Sequence, residues 1–288
     1  MNFLMKVLTV LDFEMVKPEM YGWFHILWLF LTAVATVLLC WLFKEGTEKQ
    51  AKRIVFITAL IVIVMEIYKQ INYTFTISDG TINADYQWYI FPFQFCSMPM
   101  FVGFLAGVLK KGKVRDALLA FLATYAVFAG TSVMLYPSTV FIKTIGINIQ
   151  TMFCHGSMIV VGVYLLYTGY VKVKLSTILK AMPVFAVAVS TAAVLNEIAN
   201  ACGINETETF NMFFISPHCE PSLPVYSIVQ QYVPFPLSLV IYILGFTAAA
   251  FIILAIAVAV KKMFAKKAKQ NQIVQIQEEK TDEVAIIS

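Results

Sequence analysis

Charge is scarce in this sequence. Of 288 residues only 13% are Asp, Glu, Lys or Arg, whereas 60% are hydrophobic and the mean hydropathy is +0.78. A soluble domain of this length has too little interior for so much apolar surface, so a water-soluble enzyme or binding module is excluded. Long runs of one charge are missing as well, and the net charge of +4 is sorted by loop, so nucleic acid is not an expected partner. There is no internal repeat, no GxGxxG, no Walker sequence and no CxxC, which removes the standard dinucleotide, nucleotide-phosphate and dithiol sites. No cofactor or metal is expected. Residues 1–20 have no small-residue cleavage site after an apolar core and carry Asp12, Glu14 and Glu19. They are expected to form an interfacial segment rather than a signal peptide.

What is present in quantity is uncharged apolar sequence. Seven stretches are long enough to cross a bilayer, at about 21–43, 54–72, 90–110, 114–136, 151–170, 177–200 and 236–260. The expected architecture is all-α, a polytopic bundle of about seven transmembrane helices over 21–263, followed by a polar, mobile tail at 264–288. Of the 21 Lys and Arg residues, 17 fall in the first, third and fifth connections and the tail, whereas connections 73–87 and 201–235 hold none. The positive-inside rule then places the N-terminus outside and the C-terminus in the cytoplasm. The expected location is the cell membrane, multi-pass, as in a bacterial plasma membrane.

Polar residues inside these stretches share one depth. His25 lies early in the first span; Glu66, Lys69 and Gln70 sit at i, i+3, i+4 near the end of the second. Gln94 and Cys96 open the third span, His155 sits early in the fifth, and Asn196, Glu197 and Asn200 end the sixth. The opposite halves of the same spans are almost wholly apolar. A charge in a span costs about 2.5–3.5 kcal/mol on insertion scales, so this set is expected to line one outward-opening cavity. Each member also has a structural reading: an ion pair for Glu66 and Lys69, an aromatic-belt position for His25, and bonds between helices for Asn196 and Asn200. Cys202 and Cys219 share the long outer connection, where spacing does not decide whether they pair. His218, Cys219 and Glu220 with Cys202 sketch a metal site whose spacing matches no standard zinc pattern.

The stretch WYIFPFQFCSMPMFVGFLAGVLK, residues 88–110, carries the most chemistry. Pro92 is expected at the first helical position, which puts Cys96 near the positive end of a helix dipole. Pro99 lacks the N–H that would bond the carbonyl of Phe95 and is expected to leave that acceptor free.

These features resemble the YwaF-like family of bacterial integral membrane proteins: WFHILWLF with His25, FPFQFCSMPMF with Gln94 and Cys96, FCHG with His155, and a late segment in which Asn200, Asn211, Pro221 and Ser222 match. Glu220 stands where a basic residue is usual, so no phosphate-reading role carries over to it. The eukaryotic relatives of that family are similar to transmembrane acyltransferases that move fatty acyl chains between phospholipids, and membrane hydrolases of the androgen-induced type are more distant. The resemblance implies Cys96 as nucleophile and His155 as its base, acting on a membrane phospholipid or lysophospholipid as a cysteine-dependent phospholipid acyltransferase or a lipid-ester hydrolase. Gln94, Asn196 or Asn200 would donate to the oxyanion, with His25, Glu66, Lys69, Gln70 and Asn211 in support. Two other classes fit the composition: a small-solute or proton-coupled transporter built on the Glu66 cluster, and a seven-span sensor without chemistry.

Overall fold

In a computed structural model, the backbone is described for residues 3–287 and the side chains for residues 3–263 apart from Leu175 and Pro224, so the expected tail at 264–288 lies outside the described side chains. The chain is mostly helical. A short N-terminal helix, α1 (Phe3–Leu11), precedes α2 (Trp23–Leu42) and α3 (Glu48–Thr74). A two-stranded antiparallel hairpin, β1 (Phe75–Ser78) and β2 (Thr81–Ala84), departs from the all-α expectation. It turns at Asp79-Gly80, both with positive φ, the conformation a tight two-residue hairpin demands. Beyond it come α4 (Met98–Val108), α5 (Lys113–Phe121), a π-helical turn at Leu122–Ala126, α6 (Val127–Leu135), α7 (Ile145–Tyr167), α8 (Leu175–Ala201), α9 (Ile204–Thr207), α10 (Pro224–Tyr232) and α11 (Phe235–Ile287).

Among the described residues six helices are long and apolar enough to cross a membrane, and the third expected span forms only a shorter apolar helix over Phe95–Val108. The reason is local. Trp88–Ile90 and Phe95–Ser97 are 3₁₀ turns, the second running into α4, and the backbone between them is irregular, with bends at Pro92 and Gln94. Pro92 therefore does not begin the helix; the helix starts at Met98 with Pro99 in its first turn. The carbonyl of Phe95 is not free either, because the Met98 N–H donates to it. Proline removes its own donor, and the residue before it supplies one instead.

The bundle is organised around α7 and the α5–α6 segment, the latter 72% buried across its most apolar window against 11% for α2 and for α11. Small residues allow that packing. A Cβ on Gly130 would stand 2.5 Å from the His155 carbonyl oxygen, and one on Gly156 would stand 2.6 Å from Thr32 Oγ1. Gly162 meets the π turn, where a Cβ would lie 2.1 Å from Val127 Cγ2 and 2.7 Å from the Leu122 carbonyl. The N-terminal segment is sewn to the same end of the bundle. Tyr68 Oη donates to the Leu11 carbonyl at 2.7 Å, and Met15 and Ile145 N–H groups bond Lys143 and Phe13 carbonyls across a Glu14–Thr144 bridge.

If Gly162 is the contact that lets α7 approach the π turn, Gly162→Ala should lower the thermal transition of the purified protein by the equivalent of about 1–3 kcal/mol, as overpacking does. Gly245→Ala, where a Cβ meets nothing within 4 Å, should leave it unchanged. Equal stability of the two variants would refute the close approach.

Candidate functional site

Glu66 is the most buried carboxylate among the described residues, 7% exposed near the end of α3. Three donors converge on it. Lys69 Nζ lies 2.7 Å and Gln70 Nε2 2.8 Å from Oε1, and Gln150 Nε2 of α7 reaches Oε2 at 3.3 Å. Gln70 passes the network outward, donating to the Ile90 carbonyl at 2.9 Å and accepting from Tyr86 Oη at 2.8 Å. The Glu66, Lys69 and Gln70 spacing thus produces the shared helix face the sequence indicates. Gln150 escapes a reading of the sequence because α7 begins at Ile145, six residues before the expected start of the fifth span. Its signal lies in the pairs Gln150/Cys154 and Thr151/His155, each at i, i+4 on one helix.

Cys96 lies near this network, on a 3₁₀ turn whose first residue is fixed by packing. Phe95 packs into an aromatic cluster, with ring centroids 5.1 Å from Phe185, 5.3 Å from Phe246 and 5.9 Å from Phe213. The Cys96 thiol, one residue on in the same 3₁₀ turn, lies within electrostatic reach of Lys69, Glu66 and Cys154. Cys96 is a partly buried free thiol. Lys69 acts electrostatically on Cys96 and on His155, and its ammonium spends one of three N–H donors on Glu66. No hydrogen bond joins Cys96 directly to His155 among the described residues.

The two intramembrane histidines differ in what their rings have left to do. His155, 6% exposed, has Nδ1 2.7 Å from the Thr151 carbonyl oxygen. A carbonyl only accepts, so Nδ1 carries the proton and Nε2 keeps its lone pair, with no hydrogen-bond partner among the described residues. His25 is fully buried and spent at both nitrogens: Nε2 donates to the Met134 carbonyl at 2.8 Å, and Nδ1 accepts from the Tyr21 N–H at 2.9 Å. It ties α2 to α6 as a structural group and stands apart from the Glu66 network.

The amides expected at the oxyanion are also committed elsewhere. Gln94 donates to the Asn211 carbonyl at 3.0 Å and accepts from the Phe213 N–H at 2.9 Å. Asn196 brackets Met212, accepting from its N–H at 2.7 Å and donating to its carbonyl at 3.1 Å. Asn211 Oδ1 accepts from the Ser216 N–H at 2.9 Å. Together they clamp a loop in which Phe213 and Phe214 hold φ of 58° and 56°, a conformation that bulky residues adopt only when the surroundings impose it. The side chain of Asn200 makes no hydrogen bond among the described residues. The single expected cavity is therefore divided: Glu66, Lys69, Gln70, Cys96 and His155 gather on α3, the 3₁₀ turn and α7, whereas Gln94, Asn196 and Asn211 serve the loop. The division arises because an irregular backbone inside the bundle has amide groups of its own to satisfy.

In the connection between α8 and α10, Cys202 and Cys219 are free thiols. Cys219 Sγ contacts Asn205 Oδ1 and the Phe210 carbonyl, and His218 Nε2 pairs with Glu197 at 3.0 Å. Among the described residues no three His, Cys, Asp or Glu side chains gather as a metal site.

Residues 20–259 match the TMEM164 family, a family of transmembrane proteins, and the chain belongs to it. Neither the curated proteins nor the solved structures contain a match to the chain.

Because Lys69 and Glu66 neutralise each other in a poorly solvated place, Glu66→Gln should destabilise the protein by about 3–5 kcal/mol, the usual penalty for leaving one partner of a buried pair. The double variant Glu66→Gln/Lys69→Met should recover most of that loss in thermal unfolding in detergent. A single variant as stable as the unaltered protein would show that the pair is solvated.

Proposed function

We propose, taking membership of the TMEM164 family as the premise, that the protein is a membrane-embedded acyltransferase that moves a fatty acyl chain from a phospholipid to a lysophospholipid through Cys96, and that it is akin to the YwaF-like proteins. The observation that carries the reading is the free Nε2 of His155, in a ring whose Nδ1 is fixed by the Thr151 carbonyl at 2.7 Å. Cys–His pairs with an oriented base form the standard activated-nucleophile arrangement. In unliganded enzymes the hydrogen bonds of such pairs are often long and tighten only with substrate.

In the first half-reaction His155 Nε2 takes the Cys96 proton, and Sγ attacks the carbonyl carbon of the donor ester. The C–S bond forms, and the oxyanion is met by the N–H donors of Lys69 left over from Glu66. Collapse breaks the ester C–O bond, and the departing lysophospholipid oxygen takes the proton from His155. In the second half-reaction the hydroxyl of the acceptor lysophospholipid gives its proton to Nε2 and its oxygen attacks the thioester. The C–S bond breaks and Sγ recovers the proton. No oxidant or cofactor enters the balance, and water in place of the acceptor gives hydrolysis. Glu66 supports this chemistry as the counter-ion of Lys69, with three donors held on its two oxygens.

The same reading counts Phe95–Val108 as a seventh crossing, places the N-terminus outside and the C-terminus in the cytoplasm of a cell membrane, and sets the ester of an outer-leaflet lipid beside the thiol. Single cysteines replacing Asp79 should be labelled in intact cells and those replacing Lys49 should not; the reverse pattern would overturn the orientation. For the chemistry, the purified protein given phospholipid should gain one hydroxylamine-sensitive acyl group on the Cys96 peptide. Cys96→Ala should remove adduct and turnover while keeping the fold, and His155→Ala should slow adduct formation by about 10²–10⁴-fold. Cys202→Ala, an exposed thiol far along the chain, should change neither. Full acyl transfer by Cys96→Ala would end the nucleophile assignment.

A further inference from the structure

Near its end the chain goes without charge for much longer than a crossing requires. Between Pro221 and Val260 there are 40 residues without Asp, Glu, Lys, Arg or His, where about 20 apolar residues span a bilayer core. The second part of that run is α11. The first part is α10, nine residues long and uncharged throughout. At about 14 Å it is too short to cross.

This short helix doubles back along the start of α11. Tyr226, near its beginning, meets Tyr242 edge-on with ring centroids 5.0 Å apart and shares a hydrogen bond of 3.0 Å with Ser238. Gln230, Gln231 and Val233, near its end, border a cavity together with Phe235 and Ser238. The two helices are therefore antiparallel, and α10 begins beside residues about two turns inside α11. Its packed face carries Tyr226, Val229 and Gln230, the last reaching the Ile215 carbonyl at 3.5 Å. The opposite face carries Val225, Ile228 and Tyr232 at i, i+3 and i+7, with 77%, 58% and 79% of each exposed. The start of α11 exposes Leu237, Val240 and Leu244 at the same spacing, so both arms of the hairpin present an apolar outer face.

We infer that α10 is a re-entrant helix set into the lipid leaflet beside α11, with Val225 and Ile228 against lipid chains and Tyr232 nearest the headgroups. Segment 201–235 is then not wholly an aqueous connection. Backbone that enters a leaflet without crossing it must be buried in protein or line a water-filled space, and both conditions are met. Met212, Phe213 and Ile215 are fully buried. Behind α10 lies a cavity of about 450 Å³ lined by Ser216, His218, Glu220, Gln230 and Gln231, among others. Its polar wall admits water on the protein side of α10 while the apolar face meets lipid. A tyrosine at the shallow end fits the aromatic belt of a membrane interface. This placement does not depend on the acyl-transfer reading.

The test uses the full-length protein in phosphatidylcholine vesicles, with Val225→Cys, Ile228→Cys or Tyr232→Cys introduced singly and each checked for unaltered thermal unfolding. Modification by a membrane-impermeant maleimide is scored peptide by peptide, with the exposed native Cys202 as the aqueous reference in the same molecule. Val225→Cys and Ile228→Cys should react at least about tenfold more slowly than Cys202, because only the thiolate reacts and apolar surroundings suppress it. Tyr232→Cys should fall between. In the unaltered protein, a phospholipid carrying a diazirine on its acyl chain should crosslink to the peptide holding residues 225–232, an arm that depends on no variant folding. Reaction at all three positions at the Cys202 rate would place α10 in water and overturn the inference. Equal rates for Val225→Cys and Tyr232→Cys would lay the helix flat on the surface and overturn the re-entrant placement. Slow reaction without lipid crosslinks would put a second copy of the chain over the apolar face and overturn the lipid contact.

Discussion

A carboxylate in the apolar part of a bundle must either lose its charge or be surrounded, and at Glu66 the second solution organises the neighbourhood. Lys69 and Gln70 come from its own helix, one turn on, and Gln150 comes from α7. The crossing bond from Gln150 fixes the register of α3 against α7 at this level, because a shift of one residue would remove a donor from a group that cannot be left bare. Gln70 then reaches the Ile90 carbonyl, which ties the hairpin connection and the start of the third stretch to the same point. The consequence of surrounding Glu66 is positional. Lys69 is held where its charge is felt by Cys96 and His155, two groups on different elements that do not bond to each other.

The third stretch shows why a broken span is tolerated there. Irregular backbone within a bundle leaves amide groups that only protein partners can satisfy. The aromatic cluster around Phe95, with Phe185, Phe213, Tyr242 and Phe246, encloses the segment, and the Gln94, Asn196 and Asn211 side chains bond the loop that returns against it. Tyr242 Oη adds a bond to the Phe213 carbonyl at 3.0 Å. The left-handed Phe213 is thus held from three sides. The left-handed turn inserts the Phe213 ring beside Phe95, with centroids 5.9 Å apart.

Much of this was legible in the sequence because it follows from hydropathy and helical period. The long apolar helices and the Glu66, Lys69, Gln70 face needed only run length and an i, i+4 rule. The start of the third helix was not legible, because Pro92 and Pro99 both satisfy the rule for a first turn and only the tertiary clamp selects the later one. Gln150 stayed hidden for a related reason: Gly146, Asn148 and Gln150 read as a polar connection, although Asn148 is in fact fully buried and caps the preceding loop through both the N–H and the carbonyl of Ile142. The roles of Gln94 and Asn196 could not be separated from those of Glu66 by depth alone, since depth along a helix says nothing about which neighbour the side chain meets.

The contrast between the two buried histidines is the clearest case of structure deciding what residue type leaves open. Both lie in apolar helices, both are nearly inaccessible, and both bond a backbone carbonyl. In His25 the second nitrogen already accepts from the Tyr21 N–H, so protonating it would break a bond and place a charge among Phe24, Phe141 and Trp28. In His155 the carbonyl of Thr151 takes the other nitrogen, as a carboxylate does in the familiar triads, and orients the ring without adding a charge. The remaining lone pair has no partner among the described residues. A base oriented by a neutral acceptor, with its second nitrogen free, is suited to taking a proton and returning it, which is what each half of an acyl exchange through a thiol requires.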